Sequence, residues 1–128
     1  MTNVRPIPAG LRVMVVEDEI LVAMMLEDML ADLECRVVGP FHSIDKAREY
    51  LATAPDSVDL AILDVNVAGQ RSFGFAATLS EVGVPLIFST GYDAAGVDEP
   101  WRQSARLRKP FTPAELEAAL SAAAARSS

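Results

Sequence analysis

Apolar and polar residues follow two different periods along the chain. Five short segments rich in Val, Ile and Leu are separated by stretches with helical spacing. These segments are RVMVV at 12–16, CRVVG at 35–39, VDLAILD at 58–64, PLIFST at 85–90 and the weaker ARLRK at 105–109. Strands that are apolar nearly throughout and alternate with helices are typical of a parallel sheet covered on both faces. The pattern therefore predicts an α/β fold with a doubly wound, five-stranded parallel sheet.

The stretches between these segments carry the marks of helices. Leu26 and Leu30 fall on one face of the first stretch by the 3.6-residue period, and acidic residues fall on the other. Ser43 is a candidate N-cap for the second helix. Thr112 and Glu115 have the spacing of a capping box, which predicts where the last helix begins.

One interval between the fourth and fifth segments lacks a clear period. The stretch YDAAGVDEPWRQS at 92–104 contains Gly96 and Pro100, and we predict only a short, poorly formed or mobile helix there. The first ten residues, with their two prolines, are expected to form a flexible tail. A single domain is therefore predicted over residues 11–126.

Composition limits the classes of partner. The formal net charge is −7, which opposes non-specific binding to nucleic acid or to anionic membranes and favours proteins or cations as partners. No apolar stretch approaches the length of a membrane span, so we expect a soluble, cytoplasmic protein. Cys35 is the only cysteine, so no disulfide can form within the chain, and we expect Cys35 to be a small residue packed in a strand.

Polar side chains stand at the carboxyl ends of the strong strands. Glu17 and Asp18 follow the first strand, Asp64 ends the third, Thr90 ends the fourth and Lys109 ends the fifth. Ligands of doubly wound sheets bind at this edge. Converging carboxylates form an oxygen-rich site for a hard cation such as Mg²⁺, which would also neutralise a phosphoryl group. Asp64 could then attack phosphorus, while the ammonium and the hydroxyl bind phosphoryl oxygens.

These residues occur within a familiar series of motifs. The order VVEDE, AILDVNVAG, FSTGY and RKPF resembles the receiver domain of bacterial two-component response regulators over nearly the whole chain. The resemblance implies the chemotaxis-type fold with strand order 2-1-3-4-5. It also implies that Asp64 is the phosphorylated aspartate and that the cofactor is Mg²⁺, with Mn²⁺ as a possible substitute.

The resemblance assigns further roles at the same edge of the sheet. It implies that Asp18 and Asp64 bind the metal directly, that Glu17 acts through a metal-bound water, and that the backbone carbonyl of Asn66 is another ligand. Glu17 stands where Asp is commoner in the family, and the longer arm suits a contact through water.

The remaining implied roles concern the response to phosphorylation. Thr90 would be the switch hydroxyl and Lys109 the phosphate-pairing lysine, followed by a cis peptide bond at Pro110. Arg106 stands where the family often has the aromatic residue that rotates on activation, so the resemblance leaves that part of the switch open.

The FSTGY motif also resembles the FATGY signature of an atypical receiver subgroup, with Ser89 in place of Ala. Members of that subgroup are often stand-alone domains paired with histidine kinases of the HWE type, and their fourth helix is commonly irregular. Asn66 and Tyr92 lie two residues beyond Asp64 and Thr90, where side chains can gate the attacking water. We therefore expect both to modulate dephosphorylation.

The predicted function is a single-domain response regulator and not an enzyme. Asp64 would accept a phosphoryl group from a histidine kinase or a histidine phosphotransfer protein, and the domain would signal to an unknown output protein by contact or relay, as a monomer or weak homodimer. Two alternatives remain. A phosphatase of the haloacid dehalogenase type would carry a second Asp where Asn66 stands, and a constitutive adaptor would not need the complete acid, Thr and Lys set.

Two residues near the site have plainer interpretations. Glu19, the third acid of the VVEDE motif, is expected to be a solvated residue at a helix N-terminus, where acids interact favourably with the helix dipole. His42 has no partner histidines or cysteines in the sequence, so a structural role is expected for it.

Overall fold

The computed structural model describes residues 7–91 and 105–126. The main sheet consists of β1 (Arg12–Val16), β2 (Arg36–Phe41), β3 (Leu60–Asp64), β6 (Leu86–Thr90) and β7 (Ala105–Arg108). A two-stranded hairpin consists of β4 (Asn66–Val67) and β5 (Gln70–Arg71). The helices are α1 (Ile20–Asp32), α2 (Ile44–Thr53), α3 (Phe73–Glu81) and α4 (Pro113–Arg126). The predicted irregular helix at 92–104 lies outside the described residues.

The main sheet has the predicted topology. Its five strands are all parallel, in the order β2-β1-β3-β6-β7. Counted along the chain without the hairpin, this is the order 2-1-3-4-5, and the prediction of a doubly wound sheet is confirmed. Residues at the ends of neighbouring strands are paired in register, Asp64 with Ser89 and Thr90 with Arg108. The polar residues at these ends consequently lie along one edge of the sheet.

Helices cover both faces of the sheet and produce two cores. On one face α2 and α3 bury residues such as Leu51 and Phe75 against the sheet, and on the other α1 and α4 bury Leu26 and Leu120. All five residues of β3 are buried, which explains why its sequence is apolar up to Asp64. Among the described helices, none combines the length and the apolar character needed to cross a membrane.

Two helix starts behave as their sequences predict. The Ser43 hydroxyl accepts a hydrogen bond of 3.2 Å from the Lys46 N–H at the start of α2. Before α4, Glu115 donates its N–H to the Thr112 hydroxyl at 3.1 Å, and its carboxylate accepts the Thr112 N–H at 2.8 Å. The second pair is a complete capping box. Helix α1 differs, because the side chain of its N-cap, Glu19, makes no capping hydrogen bond.

One ion pair lies at the amino end of the sheet. The guanidinium of Arg12 donates two hydrogen bonds, of 2.8 and 2.9 Å, to the two carboxylate oxygens of Asp59. Chain contacts continue before β1, since Ile7 packs against the core and the Gly10 N–H donates to the Glu34 carbonyl at 2.8 Å. Residues 7–10, assigned by sequence to a flexible tail, are therefore in contact with the domain.

Candidate metal centre

Three carboxylates meet at the carboxyl end of the sheet. Glu17 and Asp18 leave β1 in the turn that leads to α1, and Asp64 is the last residue of β3. One oxygen of each carboxylate lies within 4.8 Å of the others. Glu17 is only 1% exposed, and Asp64 is also buried. Folding therefore brings together the acids that the sequence places at separate strand ends.

The ammonium of Lys109 is bonded to three carboxylates at once. Its Nζ lies 3.0 Å from Glu17 Oε1, 3.0 Å from Glu19 Oε1 and 3.1 Å from Asp64 Oδ2. The contacts with Glu19 and Asp64 are hydrogen bonds, whereas the contact with Glu17 is an ion pair without hydrogen-bond geometry. With Asp18 included, four carboxylates share one described cation. The site therefore carries surplus negative charge when all the acids are ionised.

Burial and charge shift the pKa values of two of these groups. Burial raises the pKa of Glu17 to about 7, and the nearby charge of Asp64 acts in the same direction. The Glu19 N–H, which donates to Glu17 Oε2 at 3.0 Å, and the Lys109 ammonium oppose that rise. For Lys109, burial would lower the pKa, but the three carboxylates outweigh burial and the pKa is raised. The lysine therefore stays charged, and Glu17 holds its proton to a higher pH than an ordinary glutamate.

The hairpin β4–β5 ties the acids to the loop after β3. Its tip has positive φ angles at Ala68 (50°) and Gly69 (84°), as a two-residue type I′ turn requires. The Ala68 N–H donates to Asp18 Oδ2 at 3.0 Å, and the Asn66 N–H donates to Asp64 Oδ1 at 3.3 Å. This hairpin was not predicted from the sequence. Its two strands are too short to give a period, and Ala-Gly is a weaker turn signal than Asn-Gly.

Thr90 and Lys109 are held next to each other by the sheet. The Lys109 N–H donates to the Thr90 carbonyl at 2.8 Å, so the lysine continues the register of β6 and β7 beyond the last paired residue. Thr90 is buried. The Lys109–Pro110 peptide bond is cis, the geometry implied by the family resemblance, and so is Gly39–Pro40, which was not predicted.

Of the other predicted modulators, Arg106 lies within the described residues. Arg106 is exposed on β7, where it pairs with Phe88 in the register of the sheet. Tyr92 lies outside the described residues. His42, for which a structural role was predicted, has its Nδ1 2.9 Å from the Glu17 carbonyl. The Glu17 N–H also donates to the Phe41 carbonyl at 2.9 Å, so β2 and the residue after it support the acidic turn.

Glu19 is the residue of the site that sequence reasoning missed. It was interpreted as a solvated helix N-terminus, and its side chain is indeed 63% exposed. Its carboxylate nevertheless bonds to Lys109, a residue 90 positions further along the chain. No local pattern contains that information, because only the fold brings the two residues together.

The donor set fits a hard divalent cation. Glu17, Asp18 and Asp64 supply only oxygen atoms, which Mg²⁺ prefers, and their oxygens lie close enough to converge on one ion. Glu17 Oε1 is buried without a hydrogen-bond partner among the described residues, and its ion pair with Lys109 shows that a cation is favourable there. The Lys109 ammonium thus neutralises part of the negative charge of the acids, and a divalent cation would neutralise the rest.

The fold and the site together define a class of protein. A doubly wound parallel sheet with an acidic, lysine-paired site at its carboxyl end is typical of α/β domains that handle phosphoryl groups with a divalent cation. The family model of the response regulator receiver domain matches residues 13–121. The chain therefore belongs to the response regulator receiver domain family. This membership connects it with two-component phosphorelay signalling, in which histidine kinases or phosphotransfer proteins are the partners of receiver domains.

Solved structures of stand-alone and larger proteins are similar to the chain. SdrG from Sphingomonas melonis Fr1 is 37% identical over 90% of this chain and 97% of SdrG, with a TM-score of 0.80. The BeF3-activated conformation of SdrG from Pseudomonas melonis Fr1 is also 37% identical, over 91% of this chain and 98% of SdrG, with a TM-score of 0.78. The response regulator PhyR from Brucella abortus is 26% identical over 92% of this chain but only 49% of PhyR, with a TM-score of 0.77. No curated protein matches the chain.

Proposed function

We propose that the chain is a phosphoacceptor switch in which Asp64 takes a phosphoryl group from a phosphohistidine. The observation that carries the proposal is the position of the Asp64 carboxylate. It lies at the carboxyl end of the central strand, beside two other acids and 3.1 Å from the Lys109 ammonium. This arrangement supplies a nucleophilic oxygen and the charges that a transferring phosphoryl group needs.

The transfer balances as one bond made and one broken. An Asp64 carboxylate oxygen forms the bond to phosphorus, and the bond from phosphorus to the imidazole nitrogen of the donor breaks. The nitrogen keeps the electron pair of that bond, and the imidazole leaves in its neutral form because its other ring nitrogen already carries a proton taken from water. The Lys109 ammonium would pair with one phosphoryl oxygen, and the Thr90 hydroxyl, at the end of the next strand, would bind another.

The acids and the hairpin would hold the divalent ion. We assign Asp18 and Asp64 as direct ligands and Glu17 as a ligand through water. The register of the hairpin puts Asn66 opposite Arg71, and the Asn66 carbonyl would be a further ligand of the metal. Bound Mg²⁺, or Mn²⁺ in its place, would neutralise phosphoryl oxygens in the transition state.

The structural response to phosphorylation would begin at the same residues. A phosphoryl group brings about two negative charges and three acceptor oxygens, which would draw Thr90 and Lys109 toward Asp64. The loops that follow β6 and β7 would shift with these residues. Arg106 is exposed on β7, so it would present a changed surface to a partner without the inward rotation of an aromatic ring.

Apolar side chains beside the site offer a surface for the donor protein. Leu21 is 80% exposed at the start of α1, and Ile20 and Met24 are exposed nearby. A groove of about 470 Å³ runs from this part of α1 to Lys109 and Pro110. A helical donor protein docked there would bring its phosphohistidine close to Asp64. We propose a sensor histidine kinase, of the HWE type, or a histidine phosphotransfer protein as that donor.

The remaining features of the proposal rest on the similarity to stand-alone receivers. The chain would act in the cytoplasm, as a monomer or weak homodimer, and pass its signal to an output protein by contact or relay. Asn66 and Tyr92 would set the lifetime of the phosphoryl group. The BeF3-activated conformation of SdrG supports a response of this kind, because SdrG is 37% identical to the chain.

A phosphatase of the haloacid dehalogenase type is less well supported. Such an enzyme needs an acid two residues after the nucleophile, and Asn66, with its neutral amide, stands there. A constitutive adaptor is disfavoured because the surplus negative charge around Asp64 does not stabilise the fold, which is all that an adaptor would need. Multiple turnover of a small phosphate ester with Mg²⁺ would favour the phosphatase.

The decisive experiment is labelling at Asp64. The protein is incubated with Mg²⁺ and a small phosphodonor such as phosphoramidate, and phosphoprotein is separated by gel retardation. We expect a phosphoprotein that is labile to base and to hydroxylamine, as an acyl phosphate is, and that is absent from Asp64→Asn. Asp59→Asn, which changes an aspartate at the opposite end of the sheet, is the matched control and should label normally. Retained labelling of Asp64→Asn would refute the assignment.

A further inference from the structure

We propose that Glu19 is a positioning residue that holds the Lys109 ammonium in the unmodified protein and releases it when a phosphoryl group arrives on Asp64. The inference deepens the proposed function and rests on it. Its starting point is the contact of the ammonium with Glu17, Glu19 and Asp64 at once, each with an oxygen within 3.1 Å of Nζ.

The ammonium has little room for a further partner. Three carboxylate oxygens already lie within 3.1 Å of Nζ, two of them as hydrogen-bond acceptors and the third, from Glu17, as an ion-pair partner. When Asp64 becomes an acyl phosphate, Lys109 needs a donor for a phosphoryl oxygen. At least one existing contact must then be exchanged or lengthened.

Exposure decides which contact is lost most easily. Glu17 is 1% exposed, so leaving its carboxylate without a cation has a large desolvation cost. The Glu19 side chain is 63% exposed, and water can replace the ammonium at its carboxylate with little cost. The contact with Asp64 passes to the phosphoryl group that Asp64 carries. Of the two other contacts, the one with Glu19 is therefore lost most easily when the ammonium turns toward the phosphoryl oxygens.

Glu19 also lies at the entrance to the site. It lines the groove between α1 and the loop after β7, together with Leu21, Lys109 and Pro110. Its negative charge there opposes an approaching phosphoryl group, whereas it favours a divalent cation. The same side chain thus occupies the lysine, repels the substrate and attracts the metal.

These effects predict changes of opposite sign in one variant. In Glu19→Gln, the rate of phosphorylation by phosphoramidate at saturating Mg²⁺ should rise about fivefold, the factor that corresponds to one exposed ion pair. The affinity for beryllofluoride should rise in parallel. The affinity for Mg²⁺ alone should fall severalfold, because one nearby negative charge is gone.

A shortened acid separates contact from charge. Glu19→Asp keeps the negative charge but is one methylene too short to reach Nζ. If the contact matters, this variant should resemble Glu19→Gln in the state of Lys109, resemble the wild type in its affinity for Mg²⁺, and have an intermediate rate of phosphorylation. Asp28→Asn removes an exposed acid from the same helix and controls for net charge.

The state of Lys109 can be measured without any metal or donor. The side-chain ammonium of a bonded lysine gives an NMR signal protected from exchange with water, and we expect this signal in the wild type and in Asp28→Asn. It should be lost or exchange much faster in both Glu19 variants. Unfolding in urea with circular dichroism detection establishes that each variant is folded before these comparisons.

The outcomes separate this inference from the proposed function. If the wild type takes up neither phosphoryl groups nor beryllofluoride, the proposed function fails and the role of Glu19 fails with it. If the wild type responds but both Glu19 variants match Asp28→Asn in rate and in the Lys109 signal, only the inference about Glu19 is overturned. If Glu19→Asp matches the wild type throughout, charge alone acts and the exchange of ligands is refuted.

Discussion

The two ends of the central sheet both contain a cationic side chain bonded to acids, but in opposite proportions. At the amino end, Arg12 faces the single carboxylate of Asp59 through two hydrogen bonds, and both side chains are partly exposed. At the carboxyl end, Lys109 faces three carboxylates and is 16% exposed. The first arrangement is neutral and complete. The second is short of positive charge.

This difference indicates what each end is for. A neutral ion pair at the end of the sheet holds neighbouring segments together and leaves no net charge for a ligand to neutralise. Surplus acids sheltered from water oppose folding, and they persist where a ligand supplies the missing charge. The carboxyl end therefore has the electrostatics of a binding site and the amino end those of a structural contact. The following experiments test this contrast.

Removal of the cation should have the largest effect. Lys109→Met leaves the buried Glu17 carboxylate without a counter-charge, and we expect a loss of about 3 kcal/mol in the free energy of unfolding at pH 8. Urea unfolding without Mg²⁺ measures this loss. Arg12→Met is the matched change at the amino end and should have a clearly smaller effect, because water reaches both partners there. Equal losses in the two variants would contradict the contrast.

Magnesium should stabilise only through the carboxyl end. At a concentration one hundred times its dissociation constant, Mg²⁺ should add about 2.7 kcal/mol to the free energy of unfolding. Asp18→Asn should lose most of this gain, whereas Asp59→Asn at the amino end should keep it. Thermal unfolding with and without Mg²⁺ provides the comparison. A response that Asp18→Asn retains in full would remove this acid from the metal site.

The two ends should respond to pH in opposite directions. The pKa of Glu17 is raised from 4.5 to about 7, so the folded protein holds this proton more tightly than the unfolded chain. Its contribution to stability is most favourable below about pH 4.5 and is lost as pH rises to about 7, by on the order of 2 kcal/mol without metal. Arg12 holds the pKa of Asp59 below its usual 3.8, so the Asp59 contribution is lost as pH falls through that range.

Differences between variants isolate these two contributions. Subtracting the unfolding free energy of Glu17→Gln from that of the wild type should give a curve that falls between pH 5 and 7. The same subtraction for Asp59→Asn should give a difference that stays constant near neutral pH and decreases only as the pH is lowered into the acidic range. If the two differences in unfolding free energy changed with pH in the same direction, the two ends would be electrostatically alike.

The smallest expected effect concerns two residues with left-handed backbone. Ala68 at the tip of the hairpin has φ 50°, and Glu34 after α1 at the amino end has φ 62°. Replacement of either residue by glycine should stabilise the protein by about 0.5–1 kcal/mol. Only Ala68→Gly should also change the affinity for Mg²⁺, since the Ala68 N–H binds Asp18. A calorimetric titration with Mg²⁺ checks this, and an equal change in Glu34→Gly would count against it.

Much of the contrast between the ends was accessible from sequence, but not all of it. Apolar strands that end in Glu17, Asp18, Asp64, Thr90 and Lys109 predicted one acidic edge with a lysine, and the structure brings the three acids and the lysine together. The hairpin after β3 and the contact between Glu19 and Lys109 were missed. The hairpin was missed because its strands are too short to give a period and its Ala-Gly turn is a weak signal. The contact between Glu19 and Lys109 joins residues 90 positions apart, and local periodicity contains no record of such an approach.

The sequence by itself determined the α/β alternation, the capped start of α4 and the type of chemistry at the strand ends, because these follow from local periods and residue types. Tertiary structure alone decided how the charges are shared. It made Glu17 the buried acid and Glu19 the exposed third partner of Lys109. The physical reason is that burial and distance set the strength of a charge interaction, and both exist only once the strands stand side by side.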